Sequence, residues 1–298
     1  MQTLPLAAAL ALGMAAAPSA VLAGTFSERV GFAAATPPPT RFALERAKAR
    51  GVELKQEPGT PLRGLLVRPA ESAGPFPAVA LLHGCEGVLP FQERWAEDLA
   101  GWGYVALLVD SHGPRGIGND CTRWPPTAGS RSEDALGALS YLRSLPFVDA
   151  QHVGVMGWDT GGRTVLRVME EKGPQQLLKA GFAASVALYP GTFRISTSSA
   201  PLLILIGSED DCTPASRVRR AMQDAPPGPF PPRLEVKPDA RHAFDDPRFA
   251  EPVRLTSGQA QFCFFPEEGT GTTLAYSEVA RRAAAEQVHA FLDQHLGR

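Results

Sequence analysis

A single-domain α/β fold, with a mostly parallel central sheet flanked by helices, is the fold class this 298-residue sequence predicts. Three observations predict it. Short apolar runs alternate with helical stretches along most of the chain, the pattern that builds a parallel sheet. Several runs are unbroken Val, Ile, Leu and Ala, as strands covered on both faces require. No period of 20 to 50 residues repeats and no linker divides the chain, which excludes solenoids, propellers and a two-domain layout. Composition agrees: hydrophobic residues make up 44% and charged residues 20%, which excludes a disordered chain and a multi-span membrane protein. With 29 basic against 31 acidic residues, the chain lacks the basic excess of a nucleic-acid binder. The expected partner is a small-molecule substrate, and no nucleic acid.

The chain opens with an apolar run of Ala, Leu, Gly and Met over residues 4–17, too short to span a bilayer comfortably. Val21-Leu22-Ala23 before Gly24 then suits a signal-peptidase site. Residues 1–23 are therefore expected to be a signal peptide, and the mature protein periplasmic or secreted, without stable membrane insertion. Residues 24–50 are Ala- and Pro-rich, include Pro37-Pro38-Pro39, and read as an N-terminal leader that is extended as far as Thr40. The domain itself is expected over 51–298.

Strands are expected at 65–68, 78–83, 104–110, 152–158, 184–189, 202–207 and 233–237. Helices are expected at 92–100, 160–171 and 277–292; on the last, Ala280, Ala284, Val288 and Phe291 share a face. A further helix should open at the capping-box pattern Ser130-Arg131-Ser132-Glu133, with Leu136, Leu139 and Leu142 at helical spacing. Residues 252–273 read as a long loop carrying Phe262, Cys263, Phe264 and Phe265, either a cleft wall or a cover over the core.

Four cysteines, Cys85, Cys121, Cys212 and Cys263, allow three pairings. None sits in a C-x-x-C spacing, so a zinc site has no support and no metal is expected. Export makes disulfides the default. All four fall in loops expected at one end of the sheet, which favours Cys85–Cys121 and Cys212–Cys263.

In such sheets reactive groups gather beyond the carboxyl ends of the strands. The most specific signal is Gly157-Trp158-Asp159-Thr160-Gly161, a strand running into a helix in the G-x-Nu-x-G form of a nucleophile elbow. Asp210, in the loop after the strand at 202–207, can orient a histidine; Asp211 is the second choice. His242, after the strand at 233–237, is the one histidine lying downstream of both motifs and in a loop after a strand. The order nucleophile, acid, histidine is that of the α/β-hydrolase fold. The turn His83-Gly84-Cys85 can aim the Cys85 N–H into the site, where the Thr160 N–H would complete an oxyanion hole. His83 is expected to shape this turn. Arg115 and Arg123, in the loop after Asp110, are candidate substrate contacts, as is Trp158, although surface solvation for the arginines and sheet packing for the indole are the simpler fates.

The strings HGCEG from His83, GYVALLVDSHGPRG from Gly103, YLRSLPFVDAQHVGVMGW from Tyr141, GSEDDCTP from Gly207 and RHAF from Arg241 resemble the dienelactone hydrolase family of α/β-hydrolases. The resemblance runs from about Val52 to the C-terminal helix. It implies hydrolysis of a small ester or lactone by a Cys or Ser nucleophile, a His and an Asp, with no metal or cofactor. By position these roles fall on Asp159, His242 and Asp210. The glutamate that follows the strand-end histidine in the founding enzymes is Gly84 here, and Glu86 lies two places away.

Asp159 is the departure that matters. A carboxylate attacking an ester carbonyl forms an anhydride and must expel an alkoxide. Aspartate has a pKa of about 3.9, whereas an alkoxide is comparable in basicity to hydroxide, whose parent water sits at about 15.7. The alkoxide therefore returns to the anhydride, and serine-type ester hydrolysis does not survive. A carboxylate can instead displace at saturated carbon, as in haloalkane dehalogenases, haloacetate dehalogenases and epoxide hydrolases. The string GWDTGGRT at 157–164 resembles that of haloacetate dehalogenases, including Arg163, but has Thr160 where they commonly carry Arg. Three readings stand: an altered, Asp-based hydrolase of the dienelactone hydrolase type; a member that binds a ligand without catalysis; and a Ser or Cys enzyme whose nucleophile has been replaced.

Overall fold

The computed structural model describes residues 24–54, 58–70, 74–122, 128–177, 181–192, 194–256, 258–259, 263 and 271–297. Among them the elements run, in chain order, β1 (Thr25–Ala33), α1 (Arg41–Ala49), β2 (Pro61–Pro69), β3 (Phe76–Leu82), α2 (Pro90–Gly101), β4 (Val105–Asp110), α3 (Ala128–Ser144), β5 (Val148–Trp158), α4 (Thr160–Val168), α5 (Pro174–Leu177), β6 (Ser185–Leu188), β7 (Leu202–Gly207), α6 (Ala215–Gln223), β8 (Arg233–Lys237), β9 (Val253–Leu255), β10 (Thr272–Leu274) and α7 (Glu278–Leu296).

Eight strands form one sheet in the order β1-β2-β4-β3-β5-β6-β7-β8. β2 is antiparallel to both β1 and β4, and every pairing from β4 to β8 is parallel. The unbroken apolar runs are explained by burial on both faces. Along β3, Ala78, Ala80 and Leu82 pack with Leu136 and Leu139 of α3 and Val165 of α4. The intervening Val79 and Leu81 pack with Trp95 and Leu99 of α2 and with Val288 and Phe291 of α7. The face expected on the C-terminal helix is thus the one α7 buries, and Ser277 caps it by accepting the Ala280 N–H.

Four expectations are corrected. The segment expected as a leader is part of the fold: β1 pairs with β2 through nine residues, and α1 follows within it. As an edge strand paired on one side, β1 is mostly exposed and carries no buried apolar run, so periodicity had nothing to detect. The helix expected to open at Ser130 already includes Ala128, so the Ser-x-x-Glu pattern lies inside α3. The helix starting at Thr160 ends at Val168, three residues early, and the chain turns so that the Glu171 N–H reaches the Thr197 carbonyl. Within 252–273, β9 and β10 form a separate two-stranded ladder; Phe262, Phe264 and Phe265 lie outside the described residues, as does the expected signal peptide over 1–23.

Deleting residues 24–33 removes the β1–β2 ladder and leaves β2 as a bare edge, a template for self-association. The truncated protein is expected to melt earlier and to aggregate in a concentration-dependent way, read by thermal denaturation and sedimentation velocity; an unchanged monomer would show that β1 contributes nothing.

Candidate active site

The site is built at the carboxyl end of the parallel strands. Asp159 lies between β5 and α4 with φ 48° and ψ −114°, a left-handed backbone that L-residues rarely adopt. The glycines around it allow the turn. A Cβ on Gly157 would stand 2.5 Å from the Gly161 carbonyl oxygen, and one on Gly161 would run into the Leu82 and His83 carbonyls at the end of β3.

This turn points the Asp159 carboxylate at the HGCEG turn. The Cys85 N–H donates to its Oδ2 at 3.3 Å, and the Thr160 N–H, at the start of α4, helps to offset the carboxylate's charge. Of the two donors expected to form an oxyanion hole, the Cys85 N–H is therefore taken by the side chain itself. Oδ1 is buried and has no hydrogen-bond partner among the described residues. Burial pushes the Asp159 carboxyl above the usual aspartate range, opposed in part by His242, the Thr160 N–H, Arg163 and the Cys85 N–H.

Asp210 and His242 meet between the loops after β7 and β8. The His242 Nδ1 lies 3.0 Å from Asp210 Oδ2, so Nδ1–H donates and Nε2 is the basic nitrogen. Asp210 also accepts from the Cys212 N–H at 2.9 Å, the Thr213 N–H at 2.7 Å and the Thr213 hydroxyl at 2.8 Å. Burial works against its charge, but His242 and these donors outweigh it and hold the carboxyl below the ordinary range. Burial likewise disfavours a charged His242, yet Asp210, then Asp159 and Asp211, raise its pKa above the usual histidine value. Asp159 and His242 line one cleft of about 260 Å³, walled by Leu89, Phe91, Trp158, Phe249, Leu255 and Leu274.

Both disulfides of the described residues lie at this end, Cys85–Cys121 and Cys212–Cys263. Each includes a cysteine whose backbone N–H bonds a site carboxylate, Cys85 for Asp159 and Cys212 for Asp210. Cys121 lines the cleft beside Asn119 and Thr122, so the loop after β4 does reach the site. Arg115 does not. Its guanidinium is not part of the cleft lining: it grips Asp134 through two bonds of 2.9 and 2.7 Å and donates to the Ser111 carbonyl. The expectation for Arg115 is corrected accordingly. Arg123 lies outside the described residues. Trp158 lines the cleft with its ring, while its indole N–H donates to Asp245 at 2.8 Å.

Several residues here carried no sequence signal. Asp245, three residues after His242, is a buried acid accepting from Trp95, Trp158 and the Tyr189 hydroxyl. Burial raises its pKa despite those donors. The Tyr189 ring lies 4.6 Å from the His242 ring, so Asp245 braces the wall on which the histidine rests. Buried Arg131 donates to the Thr160 hydroxyl at 2.8 Å and to the His83 carbonyl, tying β3 to the start of α4. His83 accepts the Ser111 N–H on Nε2, which puts its proton on Nδ1, 2.7 Å from the Gly84 carbonyl. Burial, with Arg131 and His112, keeps His83 neutral, with a pKa well below the usual value. Its bonds shape the turn. The signals were local, an Asp after RHAF and an Arg at the head of α3, and only the folded chain gives them partners.

A parallel sheet with an elbow after β5, an acid after β7 and a histidine after β8 defines an α/β-hydrolase. The family model for the dienelactone hydrolase family matches residues 62–296, and the chain belongs to that family. A protein of Mycobacterium tuberculosis is 26% identical over 238 residues, covering 74% of this chain and 80% of its own. A dienelactone hydrolase-like promiscuous phosphotriesterase from metagenomic libraries superimposes with a TM-score of 0.61 at 18% identity, covering 91% of this chain and 98% of that one. A dienelactone hydrolase from Anabaena variabilis gives 0.52 at 22% identity, over 79% and 92%. These two likenesses establish the fold.

Arg115→Met would leave the fully buried Asp134 carboxylate without its partner. It is expected to cost about 3–5 kcal/mol in thermal or chemical denaturation while leaving KM unchanged. A raised KM at unchanged stability would return Arg115 to the substrate.

Proposed function

We propose that this hydrolase cleaves a small, neutral, largely apolar substrate by displacement at saturated carbon, with Asp159 as the nucleophile. The observation that carries the reading is the unequal treatment of one carboxylate on the cleft wall: Oδ2 is held by the Cys85 N–H, while Oδ1 is buried without a partner among the described residues. Attack by Oδ1 forms a carbon–oxygen bond as the leaving group departs with its electron pair. The product is an alkyl ester of Asp159 whose carbonyl oxygen, Oδ2, already sits against the Cys85 N–H. His242, oriented by Asp210, then takes a proton from water, and the hydroxide adds to the Asp159 carboxyl carbon. The Cys85 N–H, with the Thr160 N–H nearby at the start of α4, holds the charge that develops on Oδ2. Collapse breaks the bond to the alkyl oxygen, which takes the proton back from His242 and leaves as the alcohol, with one water oxygen left in Asp159. An ordinary ester or lactone fits less well, because the anhydride it would form re-captures its alkoxide.

The same reading has the chain exported by its apolar leader to the periplasm or beyond, where an oxidising compartment sustains the two disulfides.

A single turnover in ¹⁸O-water tests the mechanism, with brominated and epoxide substrates as the panel. Label is expected in Asp159 before it reaches product, read by peptide mass spectrometry. Both steps should quicken as pH rises: Asp159 must be ionised and its pKa is raised, and His242 must be neutral and its pKa is also raised. An alkyl ester formed at higher pH and then shifted to acid should therefore persist, and it should clear when the pH is returned above the ordinary histidine range. Turnover with label in the first product and none in Asp159 overturns the covalent route.

Asp159→Ser frees the Cys85 N–H and supplies a hydroxyl beside an intact His–Asp pair. This variant is expected to gain hydrolysis of activated aryl esters such as 4-nitrophenyl acetate by at least about 100-fold over the parent. Equal, negligible rates would mean that the site is not organised for acyl transfer.

A further inference from the structure

Gln92 stands at the third position of α2, one residue after the cleft-wall Phe91, and is itself 1% exposed and part of the cleft lining. Its side chain has two ends with different fates. Oε1 accepts the Leu89 N–H at 2.9 Å, satisfying one backbone donor at the entry to the helix. That bond settles which end of the amide is oxygen, since a backbone N–H requires an acceptor. For the opposite end, the Nε2 amide with two donor hydrogens, no bond to another described residue is formed, and the nitrogen is not among the buried atoms left without a partner, so it keeps some access to its surroundings. An amide donor on a cleft wall that is otherwise almost fully buried gains most from an acceptor brought by a ligand. Among the other polar groups of the wall, the Trp158 indole and the Tyr189 hydroxyl are committed to Asp245 and Asp246 to Arg248, while Asn119, Thr122 and Gln259 are exposed side chains and Gln92 is the buried amide.

We propose that Gln92 is a specificity-determining residue, whose Nε2–H donates to an acceptor atom on the substrate. The ligand class follows from the two kinds of surface. Leu89, Phe91, Phe249, Leu255 and Leu274 take an apolar body, and Gln92 takes one neutral acceptor, such as a carbonyl, ether or sulfonyl oxygen. The inference deepens the proposed function by giving its neutral substrate a required polar point, yet the binding role rests on the cleft and not on the reaction. The capping bond makes Gln92 suited to the task. The amide is fixed before substrate arrives, so its donor is presented without loss of side-chain freedom at binding.

The test uses the mature protein and phenylacetamide, a neutral probe with an apolar ring, a carbonyl acceptor and no leaving group. Binding is followed by tryptophan fluorescence. Gln92→Glu keeps an oxygen for the Leu89 N–H and so preserves the helix entry, but replaces the donor with a carboxylate. Binding is measured well below the melting transition across a pH range, because a carboxyl introduced at this buried position titrates above the ordinary range and costs some stability once ionised. At the alkaline end the variant is expected to bind about 10- to 100-fold more weakly than the parent. Acidification should restore its binding relative to the parent, because the introduced carboxyl, once protonated, donates through O–H; a role in helix capping alone would produce no such rescue. Gln92→Met, which removes both ends, separates the contributions: it should weaken binding without rescue by acid. Equal binding by parent and Gln92→Glu at every pH overturns the proposal, as does a parent that fails to bind the probe. Since phenylacetamide cannot alkylate Asp159, neither result bears on whether that carboxylate is the nucleophile.

Discussion

The left-handed backbone at Asp159 is the constraint on which the site depends. A non-glycine residue at φ 48° costs of order 1–3 kcal/mol and persists only where its surroundings over-determine it. Here they do. The β5 strand is locked between β3 and β6, α4 leaves at once behind it, and the Asp159 N–H is held by the Leu188 carbonyl of β6 at 3.1 Å. Close passage of Gly161 beneath the end of β3 brings the HGCEG turn within reach of the carboxylate. The eight-stranded sheet and both helical layers can be understood as the frame that holds this one residue in an unfavourable shape.

Around that point the protein uses buried acids in three different electrostatic settings. Asp210 receives three local donors and a histidine, and is held ionised. Asp245 receives two indoles and a phenol and is still pushed up by burial, so it serves as a hydrogen-bonding hub under the aromatic wall. Asp159 receives the Cys85 N–H on Oδ2 and no donor among the described residues on Oδ1. The three acids differ in how completely each set of lone pairs is satisfied.

Much of this was legible in the sequence, for a physical reason. Strands buried on both faces cannot hide their composition, so β3 to β8 were located within a few residues, as was the apolar face of α7. The elbow was legible because close approach demands glycine at 157 and 161. The placement of Asp159, Asp210 and His242 around one cleft followed from strand ends meeting at one edge. Features with one exposed side were not legible. β1 is an edge strand of polar and apolar residues without a buried stripe, and α1 buries only Ala47. Long-range polar partnerships were invisible too. Nothing near Arg115 in sequence announces Asp134 as its partner, and nothing near Asp245 announces Trp95, 150 positions away. Such pairings exist only once the chain has closed.

The disulfides join loop to loop across sequence separations of 36 and 51 residues, and neither crosses the sheet. Cys121 and the HGCEG turn make one side of the cleft, with the Asp120 N–H bonded to the Cys85 carbonyl at 3.0 Å beside the sulfur bridge. Cys212–Cys263 fastens the segment from which Leu255 and Gln259 line the other side. Each flank thus carries its own covalent band, and neither bridge ties one flank to the other. Such bands stiffen a wall from within, so an incoming molecule meets two preformed sides instead of loops that must first be ordered around it.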